Sequence, residues 1–455
     1  MRQTLNSPYR RIGALVLTVL LTVASAAIAA PDLIAPRGGR VVRPAQVEPE
    51  QPGEQAVKKI DPNTKELPFA GFATKSSEEQ AKELEGKSSA ELMQAANALR
   101  NERLFADARA IYKSLLVPET EEPDYLLALR YYAETTQQLE NNEQGFADLE
   151  RTLEGALQAR PDSWRVKQQV ADLYNYLPDT GYMLDNQFVY THDWRENLLS
   201  CHDRKRVRKL QIYADALAIV HAEIQKKREE GAKGFSEYRV FYISFADCFE
   251  NGAHNYWRQQ KLTDLSTLPD NVPVDYAYRE NRNSGAPVDA EGNPIFFTTP
   301  ESFEAAKNDG ERRQFLLSEL LEIDPSQKTY VLSTRANEAQ QVFGVQTLAA
   351  YRFFFNEDSA ADQEERQSGI WALNTLADDE TIARTATGVK RFKLPPEYDY
   401  INMWYEMLEE RPSDGGISVR MNIAQEYQNR RQLDKAAKMW KQILEQKNLP
   451  RHIGE

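Results

Sequence analysis

One apolar template recurs three times along this chain with the same offsets. Phe105, Ala108, Tyr112, Leu115 and Leu116 carry it first, then Phe146, Leu149, Leu153, Ala156 and Leu157, then Leu433, Ala436, Trp440, Ile443 and Leu444. Spacings of 0, 3, 7, 10 and 11 bring five side chains onto one stripe of an α-helix. A lone helix cannot bury such a stripe, so the pattern predicts helices stacked side by side in series.

Partner helices are readable beside two of the copies. Leu92, Ala95, Ala96 and Leu99 make an apolar face ahead of Phe105, and Leu126 to Leu139 make one ahead of Phe146. Pro161 closes that second unit, and Asp162 or Ser163 can cap the next helix. The first two copies lie 41 residues apart, against about 34 for a tetratricopeptide repeat. A polar loop around Glu119 to Asp124 accommodates the excess, and Ala424 and Tyr427 precede the third copy at the usual positions of a first helix. Together these segments resemble tetratricopeptide repeats. The expected fold is all-α, a tetratricopeptide-like helical-hairpin array (α-solenoid) over residues 76–270 and 301–455.

The centre is less regular. Lys205 to Lys227 reads as a long helix with basic flanks and Tyr238 to Phe249 as another, while Ala253 and Trp257 suggest a partial fourth copy. In the intervening segment 271–300, Val288 and Ile295 to Phe297 flank the turn-forming Glu291-Gly292-Asn293, which predicts one small inserted β-hairpin. Helices are expected to resume at Pro300-Glu301, with Phe315 to Ile323 and Val342 to Phe355 helical. Thr385 to Pro396 reads as a loop before a helix over Tyr398 to Glu410. The last apolar stripe ends at Leu444 with little sequence after it. Because repeat arrays finish on a polar-faced helix, the final repeat is expected to be truncated.

The N-terminus reads as an address. Arg2, Arg10 and Arg11 precede an uncharged apolar run from Ile12 to Ala24 and small residues at Ala24-Ser25-Ala26 and Ala27-Ile28-Ala29. Residues 1–30 therefore read as a cleaved secretory signal, the run being short for a membrane anchor. Residues 31–75 hold Pro31, Pro36, Pro44, Pro49, Pro52 and Pro62 with few large apolar side chains, the composition of an extended linker. The expected location is periplasmic or extracellular, with no stable membrane span after cleavage.

Charge narrows the partners. The net charge is −13, and −16 once Arg2, Arg10 and Arg11 are removed, since residues 1–30 contain no acid. That balance disfavours nucleic acid and anionic membrane. The only cysteines are Cys201 and Cys248. A disulfide between them, worth about 4 kcal/mol by loop closure, and two buried thiols both remain open.

Candidate chemistry is sparse. Cys201, His192, His202, Cys248 and His254 lack the spacing of a zinc site. Asp289, Glu291 and Asn293 alternate like a calcium loop, but the glycine is misplaced and no later bidentate glutamate follows. Asp378-Asp379-Glu380 offer clustered carboxylates, read as the cap of a helix beginning Thr381-Ile382-Ala383. No catalytic, cofactor or metal residues are assigned, and the chain is expected not to be an enzyme.

A further set of segments runs in a familiar order. Leu262-Thr263-Asp264-Leu265-Ser266 leads to Leu268-Pro269-Asp270, then come Gly285 to Pro294 and Ala305 to Arg312. Phe343-Gly344-Val345-Gln346-Thr347, Asp379 to Arg384 and Gly388 to Phe392 complete the set. Over about residues 85–455 this order resembles the N-terminal helical region of very long bacterial alpha-2-macroglobulin-like proteins. The resemblance implies a non-catalytic module of a protease-trapping protein, binding a protein partner or the family's downstream domains. The family's thioester needs Cys-x-Glu-Gln, and Cys248-Phe249-Glu250-Asn251 lacks the glutamine. No inhibitory residue carries over. The competing classes are an envelope enzyme working through Asp378, Asp379 and Glu380 in a helical groove, and a structural envelope tether.

Overall fold

The computed structural model describes residues 68–193, 197–249, 256–274, 285–345, 372–410 and 416–446. The expected signal 1–30, the linker up to 67, Ala253, His254 and the helix expected beyond 345 lie outside the described residues. Most of what is described is helical.

Local chemistry starts the first helices. Ser76 and Ser88 each accept a hydrogen bond from the backbone of a glutamate three residues on, whose carboxylate accepts the serine N–H in return. These two capping boxes open α1 (Ser77–Leu84) and α2 (Ser89–Asn101). Then follow α3 (Phe105–Ser114), α4 (Glu122–Leu139), α5 (Glu143–Ala159) and α6 (Trp164–Leu173). Asn142 caps α5 and Ser163 caps α6 through their side-chain oxygens. Gly145 sits in the first turn of α5 against the Glu140 carbonyl, where a Cβ would lie only 1.9 Å from that oxygen. The α4–α5 turn is therefore as tight as it is because residue 145 has no side chain.

Consecutive helices from α2 to α6 pack on one another, and alternate helices touch as well, α2 on α4 and α4 on α6. The long α7 (His202–Glu229) lies against α6. Beyond it come α8 (Arg239–Asp247), the single turn α9 (Tyr256–Gln259), α10 (Asp309–Ile323) and α11 (Lys328–Phe343). The final described helices are α12 (Tyr400–Glu410), α13 (Gly416–Asn429) and α14 (Leu433–Leu444). α8 packs on α10, α11 on α12, and α13 on α14. Helix α10 begins behind an Asn308 cap, eight residues later than Glu301, where the sequence pattern placed it.

The stripe positions are buried unequally. Ala108, Tyr112 and Leu115 are in the core together with Ile111, while Phe105 is only half-buried. Phe105 is the first residue of α3, and helical side chains lean toward the N-terminus, so it overhangs the helix end where fewer neighbours reach it. Phe146, Leu149, Leu153 and Ala156 are all buried. In the third copy Ala436 and Ile443 are buried with Met439, Trp440 is half-buried, and Leu433 and Leu444 are exposed.

Two small antiparallel sheets correct the all-α expectation. Strands β1 (Thr180–Leu184), β2 (Gln187–Tyr190), β3 (Leu199–Ser200) and β4 (Val272–Pro273) form one sheet in the order β2-β1-β3-β4. Its hairpin turns at Asp185 and Asn186, both at positive φ (47° and 64°), the two-residue geometry matched to strand twist. Strands β5 (Glu380–Thr385) and β6 (Gly388–Lys393) form the other. Thr381-Ile382-Ala383 thus start no helix and Thr385 to Pro396 is no loop. The expected hairpin in 271–300 reduces to a turn with one antiparallel bridge, Val288 to Pro294, while Ala286 bridges to Thr385 of β5.

The expected linker boundary at residue 75 also moves. Phe72 is buried, and the Asp107 carboxylate accepts the Gly71 and Ala73 N–H groups at 2.8 and 2.7 Å. Two charge-assisted bonds of this kind are worth about 3 kcal/mol together. Asp107→Ala is expected to release residues 69–75 with little effect on the rest. Limited trypsinolysis should then cut at Lys75 at least tenfold faster, and an unchanged cutting rate would refute the anchoring role.

Candidate functional site

Helix α6 lines one candidate binding groove. Trp164, Arg165, Gln168, Gln169 and Asp172, together with Leu126 of α4, line an open groove of about 240 Å3. The spacing 164, 165, 168, 169, 172 puts all five α6 residues on one face. Trp164 is buried and its Nε1 donates to Glu223 at 3.0 Å, which fixes the indole. The Arg165 guanidinium lies 4.3 Å from the indole centroid and 3.7 Å from Glu122. Asp172 accepts the Tyr213 hydroxyl at 2.6 Å, and burial pushes its carboxyl above the ordinary range against the effect of that bond. The Gln169 amide has no hydrogen-bond partner among the described residues. The Gln168 amide is already bonded to Asp172, so the groove offers an apolar floor, an exposed cation and one spare amide, the means by which a groove holds an extended chain.

The residues singled out from the sequence are placed as follows. Cys201 and Cys248 are free, so no disulfide joins them. Each is sealed in the core with its own acceptor, the Pro178 and Ser244 carbonyls, both at 3.3 Å. Burial pushes both thiols up to about 12. A thiol reagent at pH 8 is expected to leave both unlabelled in the native protein and to label two per chain in denaturant. Rapid native labelling would contradict the burial. His192 packs edge-on against Phe146 at 5.1 Å, and His202 faces Asp179 at 3.6 Å. Among the described residues no group of three metal-ligating side chains converges.

The carboxylates 378–380 do not act as one set. Asp378 pairs with Lys435 at 2.8 Å, Asp379 with Lys393 at 3.0 Å, and Glu380 with Arg391 at 2.6 Å. The Asp289 carboxylate is spent on its own turn, accepting the Asn293 backbone N–H at 2.7 Å and side-chain amide at 3.2 Å. The basic flank of α7 is likewise engaged. Lys205 binds Asp179 at 2.5 Å, Arg208 binds Glu154 at 2.6 Å, and Arg228 binds Glu322 at 2.5 Å.

One acidic pair escaped the reading of the sequence. Glu150 and Glu154 lie one turn apart on α5. Glu150 accepts the Tyr190 hydroxyl at 2.9 Å, and Glu154 accepts Arg208 through two bonds of 2.8 and 2.6 Å as well as the Tyr174 hydroxyl. Burial pushes Glu150 above the usual carboxylate range. Burial would do the same to Glu154, but Arg208 and Tyr174 hold it below. The available signal was the i, i+4 spacing of two acids on one helix and of Arg204 and Arg208 on another. The pair ties α5 to β2 and α7.

Among the described residues no helix is long and apolar enough to cross a membrane. No protein-family model matches this chain, and no curated protein matches it.

Proposed function

We propose that this chain is an exported, non-catalytic protein-interaction scaffold whose α2–α7 region stacks as tetratricopeptide-like hairpins and holds an extended polypeptide segment in the α6 groove. The observation that carries this reading is the groove itself, with a fixed indole, a cation at its edge and the Gln169 amide left over. Contacts between alternate helices, α2 with α4 and α4 with α6, support the stacking. The segment order from Leu262 to Phe392 supports the wider reading that the scaffold is the N-terminal module of an alpha-2-macroglobulin-like protease trap. Export rests on the signal-like residues 1–30.

Panning a displayed decapeptide library on the purified chain tests the groove. Enriched peptides should carry an apolar residue next to an acid, and Arg165→Glu should weaken them at least tenfold. Enrichment that is indifferent to Arg165→Glu and Gln169→Ala would sink the reading.

A further inference from the structure

Every residue that lines the α6 groove belongs to a helix, Leu126 to α4 and the others to α6. The main-chain carbonyls of these residues are taken up in the helical turns. The groove therefore offers no strand edge, and a guest chain must find its partners among side chains.

Most of the acceptors there are already spent. The Asp172 carboxylate accepts the Tyr213 hydroxyl at 2.6 Å and the Gln168 amide. Glu122, beside Arg165, accepts the Ser163 hydroxyl at 2.7 Å. What remains is chiefly donors. The Arg165 guanidinium stands 3.7 Å from Glu122 and makes no hydrogen bond among the described residues, and the Gln169 amide is likewise unbonded there.

An ordinary guest residue brings one N–H and one C=O, and a buried N–H that finds no acceptor is costly. Donors without matching acceptors favour a backbone that accepts and does not donate. Proline has a carbonyl and no N–H. A proline-rich chain in polyproline II form also makes no internal hydrogen bonds, so its carbonyls stand free for outside donors. The length agrees. From Trp164 to Asp172 the helix rises about 12 Å, which is about four residues of polyproline II at about 3.1 Å each. That form repeats every three residues, so prolines at i and i+3 share the side turned to α6.

We propose that the segment held in the α6 groove is proline-rich, bound in polyproline II form with prolines three residues apart. This rests on the groove reading and narrows its ligand. Arg165 and Gln169 donate to the carbonyls of the segment, and Trp164 and Leu126 take its pyrrolidine rings.

Fluorescence anisotropy with two labelled dodecapeptides tests it, one of repeated Glu-Pro-Ala triplets and one of repeated Glu-Ala-Ala triplets. Both set an apolar residue beside an acid, as the groove reading asks, and they differ only in proline. The proline peptide should bind the full chain at least tenfold more tightly. Arg165→Met/Gln169→Ala removes the donors without reversing a charge and should weaken that peptide at least tenfold. Arg165 is exposed and Gln169 half-buried, and circular dichroism checks that the variant folds. Equal affinity for the two peptides overturns the proposal and leaves the groove reading standing. A proline peptide that does not bind overturns it too, and the groove reading then survives only if panned peptides depend on Arg165. Undiminished binding of the proline peptide to the double variant overturns both.

Discussion

Glu338→Ala is expected to cost about 3–5 kcal/mol of stability, the range for breaking a buried ion pair on one side. Arg313 is 1% exposed, and its Nη1 donates to Glu338, which is itself buried. Its Nε and Nη2 have no hydrogen-bond partner among the described residues. Removing the carboxylate thus leaves a guanidinium held out of water without its hydrogen-bonded counter-charge, with only the more distant charge of Asp247 to offset its lost hydration. The Gln259 amide, which donates to Glu338 at 3.3 Å, loses a partner too. The paired change Arg313→Met/Glu338→Leu is expected to behave oppositely, recovering wild-type stability or exceeding it, because both desolvation costs disappear together. Urea denaturation of the two variants decides the matter. A single-variant loss under 1 kcal/mol would mean that water reaches Arg313 and that the pair is not closed off.

Phe146→Ala should cost about 3–5 kcal/mol, whereas Leu433→Ala should stay within about 0.5 kcal/mol. Both residues occupy the first position of the same template. Phe146 is 2% exposed and its ring meets His192 edge-on, so truncation leaves a cavity that α5 and its neighbours cannot fill. Leu433 is exposed along a free helix face, and truncation there removes little contact in the monomer. Thermal unfolding of both variants at a concentration below any self-association checks the contrast. Equal costs would show that the stripe, rather than the neighbours around it, governs burial.

The template itself was legible because it depends on spacing along one helix. The apolar faces of α2 to α5 stand where the pattern placed them, and of the two cap candidates Asp162 and Ser163 it is Ser163 that caps α6; the Ser76/Glu79 and Ser88/Glu91 boxes, equally local, are further starts that the reading of the sequence did not name. The candidate site was much less legible. Trp164, Arg165, Gln168, Gln169 and Asp172 do share a face of α6, but what makes them a groove is Leu126 of the preceding hairpin and the Glu223 that fixes the indole. Nothing near residue 164 in the sequence announces either.

Strand β5 shows why the rest was hidden. Glu380 to Thr385 has the acids of a helix start, yet its backbone pairs residue by residue with Gly388 to Lys393, and Ile382 and Ala383 are buried. β-structure depends on the partner strand and the covered face more than on intrinsic preference. The thiols follow the same logic, since Cys201 and Cys248 each settle on a separate carbonyl of the core.

The sequence by itself determined which side of the repeat helices is apolar, and that such helices must lie against one another. Tertiary structure alone decided which stripes are covered, which carboxylates find a cation, and where two short sheets form between the helices. Helical order is written in neighbours three and four residues apart, whereas burial, most ion pairs and the pairing of strands depend on residues beyond that reach, from about ten to many tens of positions away, and only the folded chain brings those together.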